Sequence, residues 1–377
     1  MYSRGTYVVV DPGIVRTDDD DDDVDDDDEP PSKKLETIAK TAKPNTPHSR
    51  YLWSRVRKNI TNHTRRHFGR RRVIQPMTNL PSFPGAQRPA RSYRTNADGV
   101  SIATYEWGNE SDPPLFLVHG GSDFAGTYDV FAPIMAAAGY RVISWDHRGH
   151  GDSDHTALYG WDADIRDALT VMSSITNKAA PVVAHSKGGA LMLQLADASP
   201  YRISKLVNID GMPSKRRMPD APDHDQTRMM AGEITGWLDF RHEAALAYRK
   251  PGSLHDLAMR RGKMNPRLPI EWLEYLVTIG ARQDDDGWRW KLDPTMRFGG
   301  FGPWRPEWTL LRMIALGMPF LGLIGTIDEP MGWGTRPRDL APWIPRNGRL
   351  EAIHDVGHFV HIEKPNEVST MILEFLS

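Results

Sequence analysis

The feature that most constrains the fold of this chain is a sharp turn at Ser186, within the stretch 181–194, PVVAHSKGGALMLQ. A short β-branched run stops at Ala184, and an apolar helical pattern starts just after Gly189. A strand that turns this abruptly into a helix strains the backbone and lifts one side chain clear of the sheet. It therefore needs small residues two positions before and two after the apex. Ala184 and Gly188 meet that need, so the stretch predicts a serine raised between a strand and a helix.

Strand and helix patterns alternate on both sides of this turn. The predicted strands are 100–107, 115–118, 141–145, 205–209, 319–324 and 350–353, and the predicted helices include 127–138, 159–175 and 366–376. This alternation favours the α/β class, with a mostly parallel central sheet, helices on both faces and right-handed crossovers. Ligands in such sheets bind beyond the carboxyl ends of the strands, where Ser186 is expected to lie.

Residues 1–95 differ in composition from the rest and are predicted to be an extension and linker. Residues 18–29 are all acidic except Val24, and a block that repels itself in this way is expected to be disordered. Between 50 and 72 the charged residues are all basic, and Leu52, Val56 and Ile60 recur at helical spacing. Three interpretations of this basic segment stay open: attachment to an anionic membrane surface, binding of nucleic acid, and a solvated tail attracted to the acidic block. Nucleic acid is the least favoured of the three.

Composition excludes several classes of site. The chain has no cysteine, so a disulfide framework, a zinc-thiolate site and a cysteine nucleophile are all ruled out. No apolar run reaches the roughly 18 residues of a membrane span, and no export signal is recognisable. We therefore expect a cytoplasmic protein, peripheral at the inner membrane surface if the basic segment binds lipid. The sequence does not indicate an oligomeric state.

The alternation of strands and helices stops between residues 212 and 317. This segment is rich in tryptophan and methionine and helical in pattern, and an insertion of this length between strands is expected to form its own cap over the carboxyl edge of the sheet. The predicted organisation is thus a core of residues 96–211 and 318–377 with a helical cap of residues 212–317. Most of the aromatic side chains are expected to join the cap to the core rather than to line a substrate site.

Four further motifs follow predicted strands. They are His119-Gly120-Gly121-Ser122, the Asp-x-Arg-Gly-x-Gly-x-Ser stretch 146–153, and a Gly-x-x-Asp turn ending at Asp328 together with Gly357-His358 shortly before Glu363-Lys364-Pro365. With the serine turn, they resemble the α/β-hydrolase family over residues 91–377, in its esterase- and lipase-like branch with a helical cap.

The resemblance implies a catalytic triad, an oxyanion hole and neither cofactor nor metal. It makes Ser186 the nucleophile, Asp328 the acid and His358 the base, in the chain order of that family. It assigns the two oxyanion donors to the backbone N–H groups of Gly121 and Lys187. The expected function is hydrolysis of a carboxylic ester of a small, largely apolar molecule through an acyl-enzyme.

Alternatives to these assignments stay open. Asp210 also ends a predicted strand at the carboxyl edge and competes with Asp328 as the acid, while Glu329 and His361 are weaker substitutes within their turns. The Lys187 side chain either steers an anionic substrate or faces solvent. Thioester hydrolysis, C–C bond hydrolysis and peracid formation use the same machinery, and a non-catalytic scaffold tethered by its basic arm is the alternative from another class.

Overall fold

The computed structural model describes residues 80–157, 159–212, 249–296 and 309–377, together with 235, 238 and 239. The acidic block, the basic segment and much of the predicted cap lie outside these residues. The predictions of disorder and of a membrane-binding segment therefore stay predictions.

An eight-stranded sheet organises the described part of the chain, with the strand order β1-β2-β4-β3-β5-β6-β9-β10. Its strands are β1 (Arg91–Ala97), β2 (Val100–Trp107), β3 (Pro114–Val118), β4 (Arg141–Trp145), β5 (Ala180–His185), β6 (Ile203–Ile209), β9 (Phe320–Gly325) and β10 (Gly348–Ile353). The six neighbouring strands β4-β3-β5-β6-β9-β10 pair in parallel, whereas β1 with β2 and β2 with β4 pair in antiparallel fashion. The predicted α/β fold with a mostly parallel sheet is confirmed.

The sequence patterns did not predict strand β1. Most of its side chains are exposed or half-buried, because it lies at the edge of the sheet, so it has no apolar alternation to read. Its hairpin with β2 closes at Asp98 and Gly99, which both have positive φ, 49° and 85°. An Asp-Gly pair between two strands is the usual signal of such a turn, and it was the available sequence clue.

Helices pack on both faces of the sheet. They are α1 (Phe131–Ala137), α2 (Trp161–Ile175), α3 (Lys187–Ala198), α4 (Leu254–Gly262), α5 (Ile270–Gly280), α6 (Thr309–Met313), α7 (Pro337–Leu340), α8 (Val360–Glu363) and α9 (Pro365–Leu376). Helix α1 begins four residues later than predicted, after a 3-10 turn over Ala125–Tyr128. This start places Pro133 in the first helical turn, where its missing N–H breaks no intrahelical bond.

Apolar side chains fill the space on both sides of the sheet. On β3, Phe116 and Val118 belong to one buried cluster, while Leu115 and Leu117 belong to the other. Two buried faces explain why the central strands read as continuous apolar runs. The sheet is thereby held rigid, and the loops at its carboxyl edge start from fixed positions.

The described part of the insertion after β6 contains helices and also a small hairpin. Strands β7 (Ala281–Asp284) and β8 (Gly287–Trp290) pair in antiparallel fashion beside α4 and α5. A third buried cluster joins Trp272 and Leu276 of α5 to Phe124 and Phe359 of the core. The sequence predicts a turn and a short extended piece over residues 286–294, and β8 lies within that range, whereas β7 was not predicted. Within the described residues no helix combines the length and the apolar character needed to cross a bilayer.

Candidate active site

The turn between β5 and α3 has the strained geometry that the sequence predicted. Ser186 has φ 53° and ψ −122°, a conformation that residues with a side chain rarely adopt. A Cβ at position 188 would lie 2.5 Å from the His119 carbonyl oxygen and 2.6 Å from that of Val118. Only glycine fits there, so the backbone of α3 approaches β3 closely and Ser186 is held at the apex.

Ser186 and His358 lie within hydrogen-bonding distance, although 172 positions separate them in the sequence. The Ser186 Oγ atom is 2.9 Å from His358 Nε2. On the other side of the ring, His358 Nδ1 is 2.6 Å from Oδ2 of Asp210. Three side chains from the loops after β5, β6 and β10 thus form one hydrogen-bonded line.

The acid in this line corrects one sequence-based assignment. Asp328, expected to face His358, is exposed to solvent, and among the described contacts it makes none with His358. Asp210 follows β6 and Asp328 follows β9, and these strands are parallel neighbours in the sheet. Their carboxyl ends open at the same edge, so the order of elements could not decide between the two acids. The left-handed φ of Asp210, 44°, and its N–H bond to the Leu323 carbonyl oxygen at 2.7 Å fix its position beside the histidine.

The contact with Asp210 sets the tautomer of His358. An ionised carboxylate can only accept hydrogen bonds, so Nδ1 of His358 carries the proton and donates a hydrogen bond to Asp210. The lone pair of Nε2 is then free to accept the hydrogen bond that the Ser186 hydroxyl donates. This arrangement can take a proton from Ser186.

The backbone of His358 is held by two further side chains. Its N–H donates to Oε2 of Glu329 at 2.6 Å, and its carbonyl oxygen is 3.0 Å from His185 Nε2, which must donate because a carbonyl only accepts. Glu329 was weighed as a substitute acid, and the structure places its carboxylate against the peptide of His358 instead of the ring. Burial lowers the pKa of His185 well below its usual range, so this neighbour stays neutral.

His361 does not contact Ser186. Its ring is fully buried among the rings of Tyr128, Phe131, His185 and Phe359. Burial, with the nearby His358, lowers the pKa of His361 to about 3. It is therefore a neutral ring packed among other rings, and it does not replace His358.

The loop after β3 packs directly on the nucleophile. A Cβ at Gly120 would lie 3.0 Å from the Cβ of Ser186 and 3.0 Å from Nδ1 of His185. The next residue, Gly121, is buried, and Lys187 is the first residue of α3, whose N–H has no intrahelical acceptor. These positions agree with the two expected oxyanion donors, whose role stays a prediction.

The side chain of Lys187 does neither of the two things that the sequence suggested. Its Nζ atom lies 2.7 Å from Oδ2 of Asp164 and 5.6 Å from the centre of the Trp161 ring. The side chain is only 9% exposed. Lys187 forms a buried ion pair that joins α3 to α2, so its side chain neither steers an anionic substrate nor faces solvent.

Three buried histidines lie together at the start of the loop after β3, namely His119, His147 and His150. The His147 N–H donates to Nε2 of His119 at 3.0 Å, and the Ser122 N–H donates to Nε2 of His150 at 3.3 Å. Burial lowers the pKa of all three well below the usual range. They are neutral and bonded to backbone groups, and among the residues the structure describes, no three His, Asp or Glu side chains are grouped to hold a metal ion.

The family model for the alpha/beta hydrolase fold matches residues 113–365. This chain belongs to the α/β-hydrolase fold family. The α/β hydrolase is 33% identical over 117 residues to a serine hydrolase-like protein of Dictyostelium discoideum, covering 30% of this chain and 32% of that one. It is 36% identical over 115 residues to the rhodomycin D methylesterase DauP of Streptomyces sp. (strain C5), covering 29% of this chain and 39% of the relative.

A solved structure extends the likeness to most of the chain. A thioesterase domain from the curacin biosynthetic pathway superposes with a TM-score of 0.63, at 20% identity, over 75% of this chain and 99% of that domain. At this identity the likeness shows the fold alone. The two curated relatives are matched over about a third of their length, so what they act on comes to this α/β hydrolase only as a proposal.

Sequence reasoning missed one contact beside the site of this α/β hydrolase. Arg261 of α4 donates through Nη1 to the Ser122 carbonyl oxygen at 3.0 Å and through Nη2 to the Asp123 carboxylate. These partners are 139 and 138 positions away in the sequence, and no local motif marks them. Only the packing of the insertion on the core reveals the contact.

Proposed function

We propose that this α/β hydrolase is a serine hydrolase that cleaves a carboxylic ester of a small, largely apolar molecule. The observation that carries the proposal is the line from Ser186 Oγ through His358 to Asp210, with separations of 2.9 Å and 2.6 Å. A serine hydroxyl is a poor nucleophile near neutral pH, and a neutral imidazole oriented by a carboxylate is the means by which such hydroxyls are activated.

In the first half of the reaction, Ser186 Oγ attacks the ester carbonyl carbon while Nε2 of His358 takes its proton. The carbonyl π electrons move to the oxygen, which becomes the oxyanion. When the tetrahedral intermediate collapses, the C–O bond to the alcohol breaks and His358 returns its proton to the departing oxygen. Proton transfer by a positioned side chain contributes about 10² to 10⁴ in rate.

In the second half, water replaces the alcohol. His358 takes a proton from the water, whose oxygen attacks the acyl carbon, and the proton then goes to Ser186 Oγ as the acid leaves. Asp210 stays ionised throughout and stabilises the imidazolium that forms twice in the cycle. The N–H groups proposed as oxyanion donors, at Gly121 and Lys187, would each lower the barrier by about 3 kcal/mol.

The apolar character of the substrate is supported by the composition of the insertion. Residues 212–317 are rich in tryptophan and methionine, and such side chains commonly form apolar pockets. The matched segment of the rhodomycin D methylesterase adds a precedent for an ester substrate. Because Lys187 is already paired with Asp164, its charge gives no reason to expect an anionic substrate.

A panel of p-nitrophenyl esters of graded acyl length tests the proposal, with the matching thioesters beside it. We expect hydrolysis by the unaltered chain and a loss of at least roughly 10³-fold in kcat for Ser186→Ala. Equal turnover by both proteins would exclude Ser186 as the nucleophile and overturn the proposal, and no turnover above background by either would favour a non-catalytic scaffold. A consistent preference for thioesters would correct the bond type while leaving the triad in place.

A further inference from the structure

We propose that Arg261 is a positioning residue for the oxyanion hole, reaching from the insertion to hold the loop Gly120–Asp123 against Ser186. The inference rests on the proposed function, since an oxyanion forms only if Ser186 attacks a carbonyl. It names a residue outside the triad on which the rate of that step depends.

The guanidinium of Arg261 makes two contacts with this loop. Nη1 donates to the carbonyl oxygen of Ser122 at 3.0 Å, and Nη2 donates to the carboxylate of Asp123. The two side chains are 12% and 2% exposed, respectively. A planar group that donates twice in this way fixes orientation as well as distance.

The contacts at Ser122 hold the loop directly after the proposed oxyanion donor. Ser122 has a left-handed φ of 60°, and its N–H is already donated to Nε2 of His150 at 3.3 Å. With its carbonyl held by Arg261, the peptide groups on both sides of Ser122 are fixed. The loop is thus held directly after Gly121, whose N–H is the proposed oxyanion donor.

The loop has little freedom to shift without effect. At Gly120 the backbone is so close to Ser186 that a Cβ would lie 3.0 Å from the serine Cβ. A displacement of about 1 Å in a catalytic group can cost on the order of 10²-fold in rate. Any change that lets this loop relax would therefore lower the rate of the chemical step.

Asp123 supplies the driving force for such a relaxation. Burial raises the pKa of its carboxyl group, and the charge of Arg261 opposes that rise. Without the guanidinium, a buried carboxylate would lack its partner, so it would take up a proton or move toward water. Either response would shift the position of the loop that carries Gly121.

Arg261 also lies beside the residue that follows the base. Its guanidinium carbon is 5.7 Å from the centre of the Phe359 ring. Helix α4 begins with a capping box in which Ser253 and Asp256 each accept a hydrogen bond from the other's backbone N–H, so the helix that carries Arg261 is itself well anchored. The Arg261 side chain thus connects the insertion to the loop Gly120–Asp123.

The test compares Arg261→Met and Arg261→Lys with the neighbouring control Arg260→Met. Among the described residues, the hydrogen bonds of the Arg260 side chain go to the carbonyl oxygens of Lys250, Pro251 and Asp256, within the insertion. We expect Arg261→Met to lower kcat on the best ester roughly 10- to 100-fold, with KM changed less than about twofold. The kcat of Arg261→Lys should lie between those of Arg261→Met and the unaltered chain. The kcat of Arg260→Met should equal that of the unaltered chain.

A trifluoromethyl ketone tests stabilisation of the oxyanion directly. Its adduct with Ser186 carries an oxyanion, so its inhibition constant should rise in Arg261→Met by the factor by which kcat/KM falls. Unchanged kcat, an equal loss in Arg260→Met, or an unchanged inhibition constant would overturn the inference while leaving the proposed function intact. Failure of the unaltered chain to hydrolyse any ester would instead overturn the proposed function.

Discussion

Replacing Asp210 by asparagine isolates the orienting carboxylate with almost no change of shape. In the structure Oδ2 of Asp210 accepts a hydrogen bond from His358 Nδ1 at 2.6 Å. The asparagine amide can turn its N–H group toward Nδ1, which stabilises the tautomer with the proton on Nε2. That nitrogen could then no longer accept the proton of Ser186.

The size of the effect follows from the loss of the correct tautomer and of the charge that stabilises the imidazolium. For a Ser-His-Asp line this substitution costs about 10⁴ in kcat, which is about 5 kcal/mol of barrier. The matched control is Asp328→Asn, because Asp328 is exposed and also follows a strand at the same edge of the sheet. We expect that control to stay within about twofold of the unaltered chain.

Steady-state hydrolysis of a p-nitrophenyl ester measures both variants, and circular dichroism checks that both remain folded. A large loss in Asp328→Asn together with a small loss in Asp210→Asn would refute the reasoning. It would mean that the histidine loop rearranges during the reaction to face the acid after β9.

Three further predictions concern stability and surface attachment. Burial alone would raise the pKa of Glu106, but hydrogen bonds from Arg141, Tyr93 and Arg91 outweigh it and lower that pKa to about 2. The resulting stability is present above pH 4.5 and is lost as the pH falls from there toward 2. In urea unfolding, Glu106→Gln should therefore lower the free energy of unfolding by about 1–2 kcal/mol at pH 7, after allowance for solvent around Arg91, and by little at pH 2. An equal loss of stability at both pH values would contradict this sign. In the same assay Gly188→Ala should destabilise the fold by about 1–3 kcal/mol or more, because the added Cβ would lie 2.5 Å from the His119 carbonyl oxygen. An unchanged unfolding midpoint would show that the turn can relax. Vesicles containing anionic lipid should retain the full chain and lose it when Arg70, Arg71 and Arg72 are replaced by glutamine, whereas equal retention would count against a membrane role for residues 50–72.

The sequence predicted the central sheet well because buried strands have a pattern of their own. Strands β2 and β4 have the predicted limits, and β10 differs only by starting two residues earlier. Ser186 was recognisable because a strained turn demands small residues at defined distances, and that demand is local. Edge strand β1 was missed, since most of its side chains face solvent.

The choice of acid could not be made from the sequence because it depends on side-chain geometry at one edge of the sheet. Strands β6 and β9 are adjacent, so Asp210 and the pair Asp328 and Glu329 follow neighbouring strands. The structure turns Asp210 toward the His358 ring and Glu329 toward its backbone N–H. The burial of Lys187 against Asp164 was equally invisible, because it depends on how α2 and α3 pack.

The central claim is that His358 activates Ser186 for attack, and labelling with a fluorophosphonate tests it most directly. Intact-mass measurement followed by peptide mapping should find one adduct, located on Ser186 and lost in both Ser186→Ala and His358→Ala. An adduct on another residue, or none in folded protein, would contradict the account.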